Sequence, residues 1–350
     1  MSLYEFIGNL HIHSIYSDGG GSVVEIADAA KRAGLDFICI TDHAHMLDSL
    51  HLEDEGFSGN LLVMVGQEIG ERYHHYLAFD LKETPPRNIP DPQKIIDHVN
   101  QEGGFGFLAH PFEKGMSFRE KSVAYTWNDL SVGGYTGVCI WNFSSRWKER
   151  VKSAFHGLFH LALKKQALKG PSSETLGFWD RTCMSRKVVA IGGSDAHGSF
   201  FKWGCLKLKP FSYEFLLGTI NNHILLSEKI PGDFSKAKQR VYDAMKAGRL
   251  FIAYDGLFPA RGFHFYYTRD DGKVLEMGDE GEVRSGNFVI KLPREGEMRL
   301  LKNGIVEEKW RGREVTFPVK EKGIYRVEVY LRLRFFGWRP WIFSNPIYLR

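Results

Sequence analysis

Apolar runs and helix-spaced apolar positions alternate along the first 250 residues of the chain. Residues 22–34 repeat valine and alanine at helical spacing, and residues 35–40 form an apolar run directly after them. The same periodicity predicts helices at 92–103 and 211–222, and the first of these precedes an apolar run that ends before His110. This alternation predicts an α/β fold in which helices surround a core of parallel strands.

The pattern changes in the C-terminal third. A helix that stops at Gly248 and a strand at 250–254 close the α/β part. From Gly262 onward, short alternating strands are separated by turn residues, which is typical of an antiparallel β unit. We therefore expect two units, 1–256 and 257–350, of which the second is a small all-β, sandwich-like domain.

Histidines and carboxylates follow the apolar runs, at the points where strands are expected to end. Because alternate residues of a strand face opposite ways, a His-x-His pair can direct both rings at one ion only where the backbone leaves the sheet. The carboxyl ends of barrel strands converge, so we expect these residues to form one site. The candidates are His11, His13, Asp18, Asp42, His43, Glu68, His75, His110, Asp195 and His197.

The donor atoms in this set indicate which metal ions suit it. Imidazoles and carboxylates without paired thiolates favour zinc, manganese or iron over calcium, which takes oxygen ligands alone. The sequence has no Gly-x-Ser-x-Gly nucleophile motif and no glycine-rich phosphate loop with its lysine. This combination favours a metal-dependent hydrolase.

The order of the motifs resembles that of the PHP superfamily, the polymerase and histidinol phosphatase hydrolases. The motifs are His11-x-His13, Thr41-Asp42-His43, Glu68, His110-Pro111 and Asp195-x-His197. The resemblance covers roughly the first two-thirds of the chain. It implies a distorted seven-stranded (β/α)7 barrel, similar to a TIM barrel, over residues 1–256, with an insertion near 143–186. We expect the insertion to cover the site and to select the substrate.

The resemblance also implies how the ligands divide among two or three divalent ions. One ion would be held by His11, His13, Glu68 and Asp195. Glu68 would bridge to a second ion held by His75 and His110, and a third would be held by Asp18, His43 and His197. Glu68, Asp195 and His197 are then the expected catalytic residues, and a hydroxide that bridges the ions is the expected nucleophile.

Several nearby polar residues have open roles. His74 and His75 are adjacent, so only one can face the site, and we choose His75. Asp42 could fix the tautomer of a neighbouring imidazole by a hydrogen bond. His45 could be a supporting donor, an acid for the leaving group or an ordinary loop residue. Asn142 could contact the substrate or a metal-bound water, or it could simply end a strand. Arg72, Arg146 and Lys148 could bind a substrate anion or be solvated surface charges.

A narrower resemblance is to the carbamate-hydrolase-like metallohydrolases, which carry a small β domain after the catalytic one. It is carried by the stretch from Trp141 to Lys148, by Trp179-Asp180 and by the segment 344–348, Ser-Asn-Pro-Ile-Tyr. The β unit after residue 256 is consistent with it. That unit could be a lid, a dimerising surface, a substrate wall or a stabilising appendage.

Composition narrows the class of partners. The chain has 350 residues, 43% of them hydrophobic, and a net charge of +4 from 46 basic and 42 acidic residues. It can bury a large core, and its charge permits nucleic acid as a partner without indicating it; no membrane partner is expected.

The widely spaced Cys39, Cys139, Cys183 and Cys205 are expected to be reduced thiols. Since the N-terminus shows no leader pattern, we expect a cytoplasmic protein, and the oligomeric state stays open.

These observations predict a metal-dependent phosphoesterase that cuts a small phosphomonoester, a nucleotide or an oligonucleotide end. An oligonucleotide would need aromatic platforms, for which Trp141, Trp147 and Trp179 are candidates. The same centre could instead hydrolyse a carbamate, ester or amide. A phosphoesterase should have cationic side chains beside the metals, and a carbamate hydrolase an apolar pocket. A noncatalytic metal-binding scaffold is a third alternative, against which the filled ligand positions argue.

Overall fold

The computed structural model describes residues 3–86, 89–116, 125–166, 168–198, 201–203 and 206–350. The strands that precede residue 200 are β1 (Tyr4–Asn9), β2 (Phe37–Ile40), β3 (Gly56–Ser58), β4 (Leu61–Val65), β5 (Gln67–Ile69), β6 (Tyr76–Phe79), β7 (Phe105–Leu108), β8 (Gly137–Asn142) and β9 (Val189–Gly193). The strands that follow are β10 (Phe201–Trp203), β11 (Leu206–Leu208), β12 (Ile220–Leu226), β13 (Leu250–Tyr254), β14 (His264–Arg269), β15 (Val274–Glu276), β16 (Glu280–Gly281), β17 (Gly286–Lys302), β18 (Ile305–Val319), β19 (Gly323–Leu333), β20 (Gly337–Ser344) and β21 (Ile347–Leu349). The α-helices are α1 (Val23–Arg32), α2 (Pro92–Gln101), α3 (Phe143–Lys148), α4 (Ala154–Ala162), α5 (Ser173–Ser185), α6 (Tyr213–Leu217) and α7 (Phe234–Ala247), and 3₁₀ turns lie at Ala44–Met46 and Leu52–Asp54.

Two mixed sheets carry the α/β part of the chain. In one sheet, β1, β2 and β4 are parallel, and β12 pairs antiparallel with the other edge of β1. The second sheet has the order β5, β6, β7, β8, β9, and its last three strands are parallel. β6 runs antiparallel to both of its neighbours. The expectation of a wholly parallel core is therefore wrong at β6, because a hairpin joins β5 to β6 and no crossover helix is needed there.

The two sheets meet at the end of the molecule where the histidines lie. Isolated bridges join Ile12 to Ala196 and His43 to Glu68. The backbone N–H of His13 donates to Ala196 O at 2.9 Å, and that of Thr41 donates to Ile12 O at 2.7 Å. Backbone pairing at this end therefore passes from β1 to β2, on to β5 and through the second sheet to β9, and returns to β1.

Local sequence sets the helix boundaries. Ser22 and Glu25 form a reciprocal capping box at the start of α1. Gly248 ends α7 at a φ of +75°, in the left-handed region that favours glycine. The helix predicted at 211–222 is wrong beyond α6, since residues 220–226 form β12 and pair with both β1 and β13. Tertiary pairing overrides the local helical spacing in this segment.

The insertion predicted between β8 and β9 contains helices α3, α4 and α5. Trp141, on β8 just before the insertion, and Trp179, on α5 within it, are fully buried, so neither offers a platform for a base. The guanidinium of Arg326, on β19, donates to both carboxylate oxygens of Asp180, on α5, at 2.7 and 2.8 Å. The insertion is thereby attached to the C-terminal strands.

The C-terminal strands are continuous with the sheet that carries β1. β20 pairs with β13, which pairs with β12, and the sheet continues outward through β19, β17, β14 and β15. The Asn345 side chain accepts a hydrogen bond from Ala190 N at 2.7 Å and donates to Ala190 O at 2.8 Å. The end of the chain thus holds β9, the strand that leads to Asp195.

Two further sequence expectations concern membrane-spanning helices and free thiols. Among the residues that the structure describes, no helix combines the length and the apolar character needed to cross a bilayer. Cys39, Cys139 and Cys183 are buried free thiols, and burial raises the pKa of Cys139 to about 12. Cys205 lies outside the described residues.

Candidate metal centre

The predicted ligands converge at the end of the molecule where the two sheets meet. His11 and His13 follow β1 and are separated in sequence by the buried Ile12. Their ring centroids lie 5.1 Å apart. The end of β9 approaches His11 closely, because a Cβ at Gly193 would lie 2.8 Å from the Cβ of His11. Glycine at this position leaves room for the imidazole.

Two of the converging residues have strained backbones. His110 has a φ of +27° and Asp195 a φ of +54°, in the left-handed region that residues with a Cβ seldom adopt. Strain of this kind costs about 1–3 kcal/mol per residue and clusters at functional sites. It turns both side chains from the ends of β7 and β9 toward the cluster.

The carboxylate of Glu68 lies at the centre of the cluster. Its Oε2 atom is 3.2 Å from His11 Nε2, 3.3 Å from His13 Nε2 and 3.3 Å from His43 Nδ1. Its Oε1 atom is 2.9 Å from His75 Nδ1 and 3.1 Å from His110 Nε2. One buried carboxylate therefore touches five imidazoles.

Two more carboxylates complete the cluster on the solvent side. Asp195 Oδ1 is 3.3 Å from His13 Nε2 and 3.4 Å from His197 Nδ1. Asp18 Oδ2 is 3.2 Å from His197 Nε2, and Asp18 Oδ1 is 3.6 Å from His13 Nδ1. The side chain of Asp18 is 42% exposed and that of His197 24%, whereas Glu68 is 1% exposed. The cluster therefore extends from a buried floor to an accessible rim.

Many ring nitrogens in the cluster have no hydrogen-bond partner among the described residues. They are His11 Nδ1 and Nε2, His13 Nδ1 and Nε2, His43 Nδ1 and His75 Nε2, and all are buried. The carboxylates approach several of them at ion-pair distances but without hydrogen-bond geometry. Buried polar atoms are almost always partnered in folded proteins, so these atoms fit a site that is completed by metal ions.

The ligand atoms fall into overlapping groups whose members lie within 4.8 Å of one another. The groups are His11–His13–Glu68, His11–His110–Asp195, His43–Glu68–His75 and His13–Asp18–His43–His197. All nine predicted ligands appear in them. The grouping differs from the expected division because His110 lies with His11 and Asp195, and His13 also lies with the rim residues.

The charges in the cluster shift one another's pKa values. Burial alone would raise the pKa of Glu68, but the charges of His75, His11 and His43 outweigh burial and hold its pKa well below the usual range. Burial would likewise raise the pKa of Asp195, and His11 and His197 hold it well below the usual range instead. Both carboxylates are therefore anions that attract cations.

His75 and His74 have different surroundings. His75 is 2% exposed and touches Glu68. His74 has a φ of +59°, and its Nε2 accepts hydrogen bonds from the backbone N–H groups of Asn128 and Asp129 at 3.1 and 3.3 Å. The structure thus brings His75 to the cluster and leaves His74 outside it.

Asp42 does not have the partner expected of it. Its Oδ1 accepts from Ser14 N at 2.7 Å and its Oδ2 from Ser14 Oγ at 2.6 Å, and Ser17 Oγ also donates to Oδ1. The expectation that Asp42 bonds to an imidazole is therefore wrong. Asp42 instead holds the turn between His13 and Asp18, because three donors of that turn converge on it.

Asn142 and Arg146 have local structural roles. Asn142 Oδ1 accepts from Ser145 N at 3.0 Å and caps α3, while its buried Nδ2 has no hydrogen-bond partner among the described residues. Arg146 donates to Gly170 O at 2.9 Å and is ion-paired with Glu149. Its guanidinium is thus committed to other groups of the chain, and the expectation that it binds a substrate anion is not supported.

Two cavities flank the cluster and contain the remaining candidates. A cavity of about 280 Å³ is lined by Asp18, Asp195 and His197 together with Lys148 and the rings of Trp147 and Phe211. A cavity of about 520 Å³ is lined by His45, Arg72 and His74 among other residues. Lys148 therefore lines a cavity together with three predicted ligands, whereas the described lining of the cavity at Arg72 and His45 includes no predicted ligand.

Sequence reasoning missed Glu113 in this region. This buried carboxylate is 3.2 Å from His110 Nδ1, and Ser145 Oγ donates to it at 2.8 Å. Its other oxygen lies 3.8 Å from Lys148 Nζ. The signal was an acidic residue three positions after a predicted ligand, in His110-Pro-Phe-Glu113. Tyr213 was missed as well, and its hydroxyl donates to the backbone carbonyl of His13 at 2.7 Å.

Parts of this chain are similar in sequence to known proteins. The family model of the PHP domain matches residues 9–125. The DNA polymerase III subunit alpha of Treponema pallidum is 30% identical over 98 residues, which cover 23% of this chain and 8% of that subunit. An uncharacterized protein of Methanocaldococcus jannaschii is 27% identical over 115 residues, which cover 30% of this chain and 67% of that protein.

A solved two-domain protein of Bacteroides vulgatus, described as containing a predicted PHP-like metal-dependent phosphoesterase, aligns with 98% of this chain and 95% of its own. Its TM-score is 0.47 and its sequence identity 15%. The matched segment 9–125 contains seven of the nine predicted ligands, from His11 to His110. The resemblance to the PHP superfamily is confirmed over residues 9–125, the segment that matches the PHP domain.

Proposed function

We propose that this protein is a metal-dependent phosphoesterase whose substrate is a small phosphomonoester, a nucleotide or an oligonucleotide end. The observation that carries the proposal is the Glu68 carboxylate, whose oxygens lie within 3.3 Å of nitrogens from five imidazoles. An ionised carboxylate offers about four lone-pair sites to donors, fewer than the five imidazoles that surround Glu68. A carboxylate that gathers five imidazoles with unpartnered nitrogens is organised to share cations with them.

Two or three divalent ions, of zinc, manganese or iron, would be held by His11, His13, Asp18, His43, Glu68, His75, His110, Asp195 and His197. When bound, such ions activate water and stabilise charge on the phosphate oxygens. Glu68 and Asp195 hold cations because they are anionic, and His197 with Asp18 forms the rim that a substrate reaches first. We assign Glu68, Asp195 and His197 as catalytic residues on this basis.

The architecture in this proposal is a distorted seven-stranded barrel over residues 1–256. The backbone pairing that returns from β9 to β1 at the site supports it. Residues 257–350 would form a small sandwich-like β unit that supports β9 and β13 from outside.

Carbonyl hydrolysis is a second candidate because one wall of the 280 Å³ cavity is aromatic. Trp147, Phe143 and Phe211 line it next to Asp195 and His197, and an apolar wall suits an aryl carbamate, ester or amide. Lys148 in the same cavity favours an anionic substrate instead, so phosphoester hydrolysis is the leading proposal.

The test is hydrolysis of a panel by manganese- or zinc-loaded protein. The panel contains para-nitrophenyl phosphate, a bis-ester, mononucleotides, short oligonucleotides and an aryl carbamate. Glu68→Ala removes the central carboxylate, and Glu308→Ala, on the exposed face of β18, is its matched control. We expect phosphate release that disappears in Glu68→Ala and persists in Glu308→Ala.

Each other outcome selects a different function. Turnover of the carbamate alone would move the protein to carbonyl hydrolysis. If metal binds but no compound on the panel is cut, the noncatalytic scaffold is the better description.

A further inference from the structure

The cavity beside the rim has two chemically different walls. One wall carries the candidate ligands Asp18, Asp195 and His197, and the other carries side chains from α3 and from the segment before α6. At about 280 Å³ it lies at the lower end of the volumes that ligand pockets have, so it suits a single ring system and no long chain.

Aromatic side chains form the wall that faces the candidate ligands. The rings of Trp147 and Phe211 meet edge to face, with centroids 4.7 Å apart and an interplanar angle of 74°. Phe143 packs against Phe211 at 6.0 Å, so the wall is a fixed cluster of three rings. A flat group that enters this cavity would be stacked against preorganised aromatic surface.

Lys148 is the one lysine or arginine among the described residues that line this cavity. Its Nζ lies 3.8 Å from Glu113 Oε1 and 5.9 Å from the ring centroid of Tyr125. Glu113 is 5% exposed, and Ser145 and His110 hold its other oxygen. A fixed buried carboxylate therefore keeps the ammonium group of Lys148 beside the candidate metal ligands.

We propose that this cavity binds the organic group of the substrate, that this group is aromatic, and that Lys148, positioned by Glu113, binds an anionic oxygen of the ester. The inference rests on the proposed function and names its substrate class, an aryl or heteroaryl phosphate. Trp147 determines specificity for the ring, Lys148 contacts the anion, and Glu113 is a positioning residue that acts through Lys148.

Equilibrium binding tests this independently of turnover, because phosphonates carry the same anionic group and are not hydrolysed. The metal-loaded full chain is titrated calorimetrically with phenylphosphonate and with methylphosphonate. We expect phenylphosphonate to bind at least about tenfold more tightly, as stacking on an aromatic side chain gives. In Trp147→Leu the ratio of the two dissociation constants should fall toward one, and continued binding of methylphosphonate shows that the variant is folded.

A double-mutant cycle tests the positioning role. Lys148→Gln should weaken both phosphonates by at least about tenfold, the loss expected for one charge-assisted hydrogen bond. Glu113→Gln should weaken both as well, and the double variant should be no weaker than Lys148→Gln. Lys152→Gln, an exposed lysine before α4, controls for net charge. Additive losses in the double variant would refute the positioning role.

Failure of this inference differs from failure of the proposed function. Equal binding of the two phosphonates, together with phosphate ester hydrolysis that depends on Glu68, would overturn the aromatic pocket and leave the phosphoesterase proposal standing. If neither phosphonate binds and no phosphate ester is cut, both proposals are wrong.

Discussion

Two buried clusters of histidine and carboxylate lie in this protein, and they differ in how their polar atoms are partnered. Outside the candidate metal centre, His223 on β12 bonds through Nδ1 to Glu5 at 2.6 Å and through Nε2 to Asp255 at 2.9 Å. Its ring stacks on Phe251 with centroids 4.5 Å apart. At the candidate metal centre, His11 and His13 are equally buried, yet no ring nitrogen of either has a hydrogen-bond partner among the described residues.

This contrast distinguishes a structural ion cluster from a candidate metal-binding site. The Glu5 and Asp255 carboxylates also accept from the backbone N–H groups of Gly262 and Ala260. Both ring nitrogens of His223 are therefore already hydrogen-bonded to carboxylates. Residue type alone does not distinguish the two clusters, whereas the count of unpartnered nitrogens does.

The largest effect should come from one substitution in each cluster. His13→Asn should lower kcat/KM by at least about 100-fold, since even outer partners of metal ligands cost up to that much. His223→Asn should leave the kcat/KM of the folded protein within about threefold of the wild-type value. It should lower the free energy of unfolding by about 3–5 kcal/mol, because it leaves buried carboxylates unpaired. Steady-state kinetics and urea unfolding on both variants test the comparison. Equal loss of activity in the two would remove the distinction.

The pH dependence of stability should come next in size. Burial lowers the pKa of His223, but Asp255 and Glu5 outweigh burial and raise it to about 9, above the roughly 6.5 of an unfolded chain. The folded state then binds more protons than the unfolded one. The stabilisation, of about 3 kcal/mol, is complete below pH about 6.5 and disappears as pH rises through about 9. We therefore expect the difference in unfolding free energy between wild type and His223→Asn to shrink as the pH rises across this range. A constant difference would argue against a protonated His223.

Metal addition should stabilise proteins with an intact candidate centre more than those in which a ligand is replaced. At a free metal concentration of 100 times the dissociation constant, binding adds about 2.7 kcal/mol to the stability of the folded state. For a chain of this length the midpoint of thermal unfolding should rise by roughly several degrees. It should fall again when a chelator removes the metal. His13→Asn should show a smaller rise, while His223→Asn should show the full rise from its lower starting point. Identical shifts in all three proteins would place the bound metal elsewhere.

The smallest effect should come from Asp42→Asn. Asp42 accepts hydrogen bonds from Ser14 and Ser17 and so holds the turn that leads from His13 to Asp18. An amide cannot accept all of them, so the turn should loosen and metal affinity should drop by roughly tenfold. Metal titration against a competing chelator measures this, with Asp243→Asn on the exposed side of α7 as the control. An unchanged affinity would mean that the turn does not depend on Asp42.

The parts of the fold that local periodicity determines could be predicted from the sequence. The strand at 250–254 and the helix that stops at Gly248 are present as expected, because apolar spacing and a left-handed glycine are local signals. Residues 211–222 carry a helical spacing as well, but the last three of them belong to β12, which pairs with the edges of β1 and β13. The antiparallel direction of β6 also depends on strand pairing that no local signal contains.

Most of the candidate ligands could be predicted because they follow apolar runs. The structure brings them together with Asp18, which lies in a turn, and His75, which precedes β6. Their surroundings could not be predicted. Asp42 looked like a partner for imidazole, and only the folded turn puts Ser14 and Ser17 in front of it. Glu113 carries no motif of its own, and it becomes visible when His110, Ser145 and Lys148 converge on it. Arg146 looked free to bind an anion until the fold paired it with Glu149.

The pairing of β20 with β13 has a consequence for how the two halves of the chain can exist. Residues 251–253 use one edge for β12 and the other for residues 342–344. A truncated chain that ends near residue 256 would expose the second edge as an unprotected, fully apolar strand, which is a template for aggregation. The C-terminal strands therefore cover an edge that residues 1–256 alone would leave open, and we expect the shorter chain to aggregate.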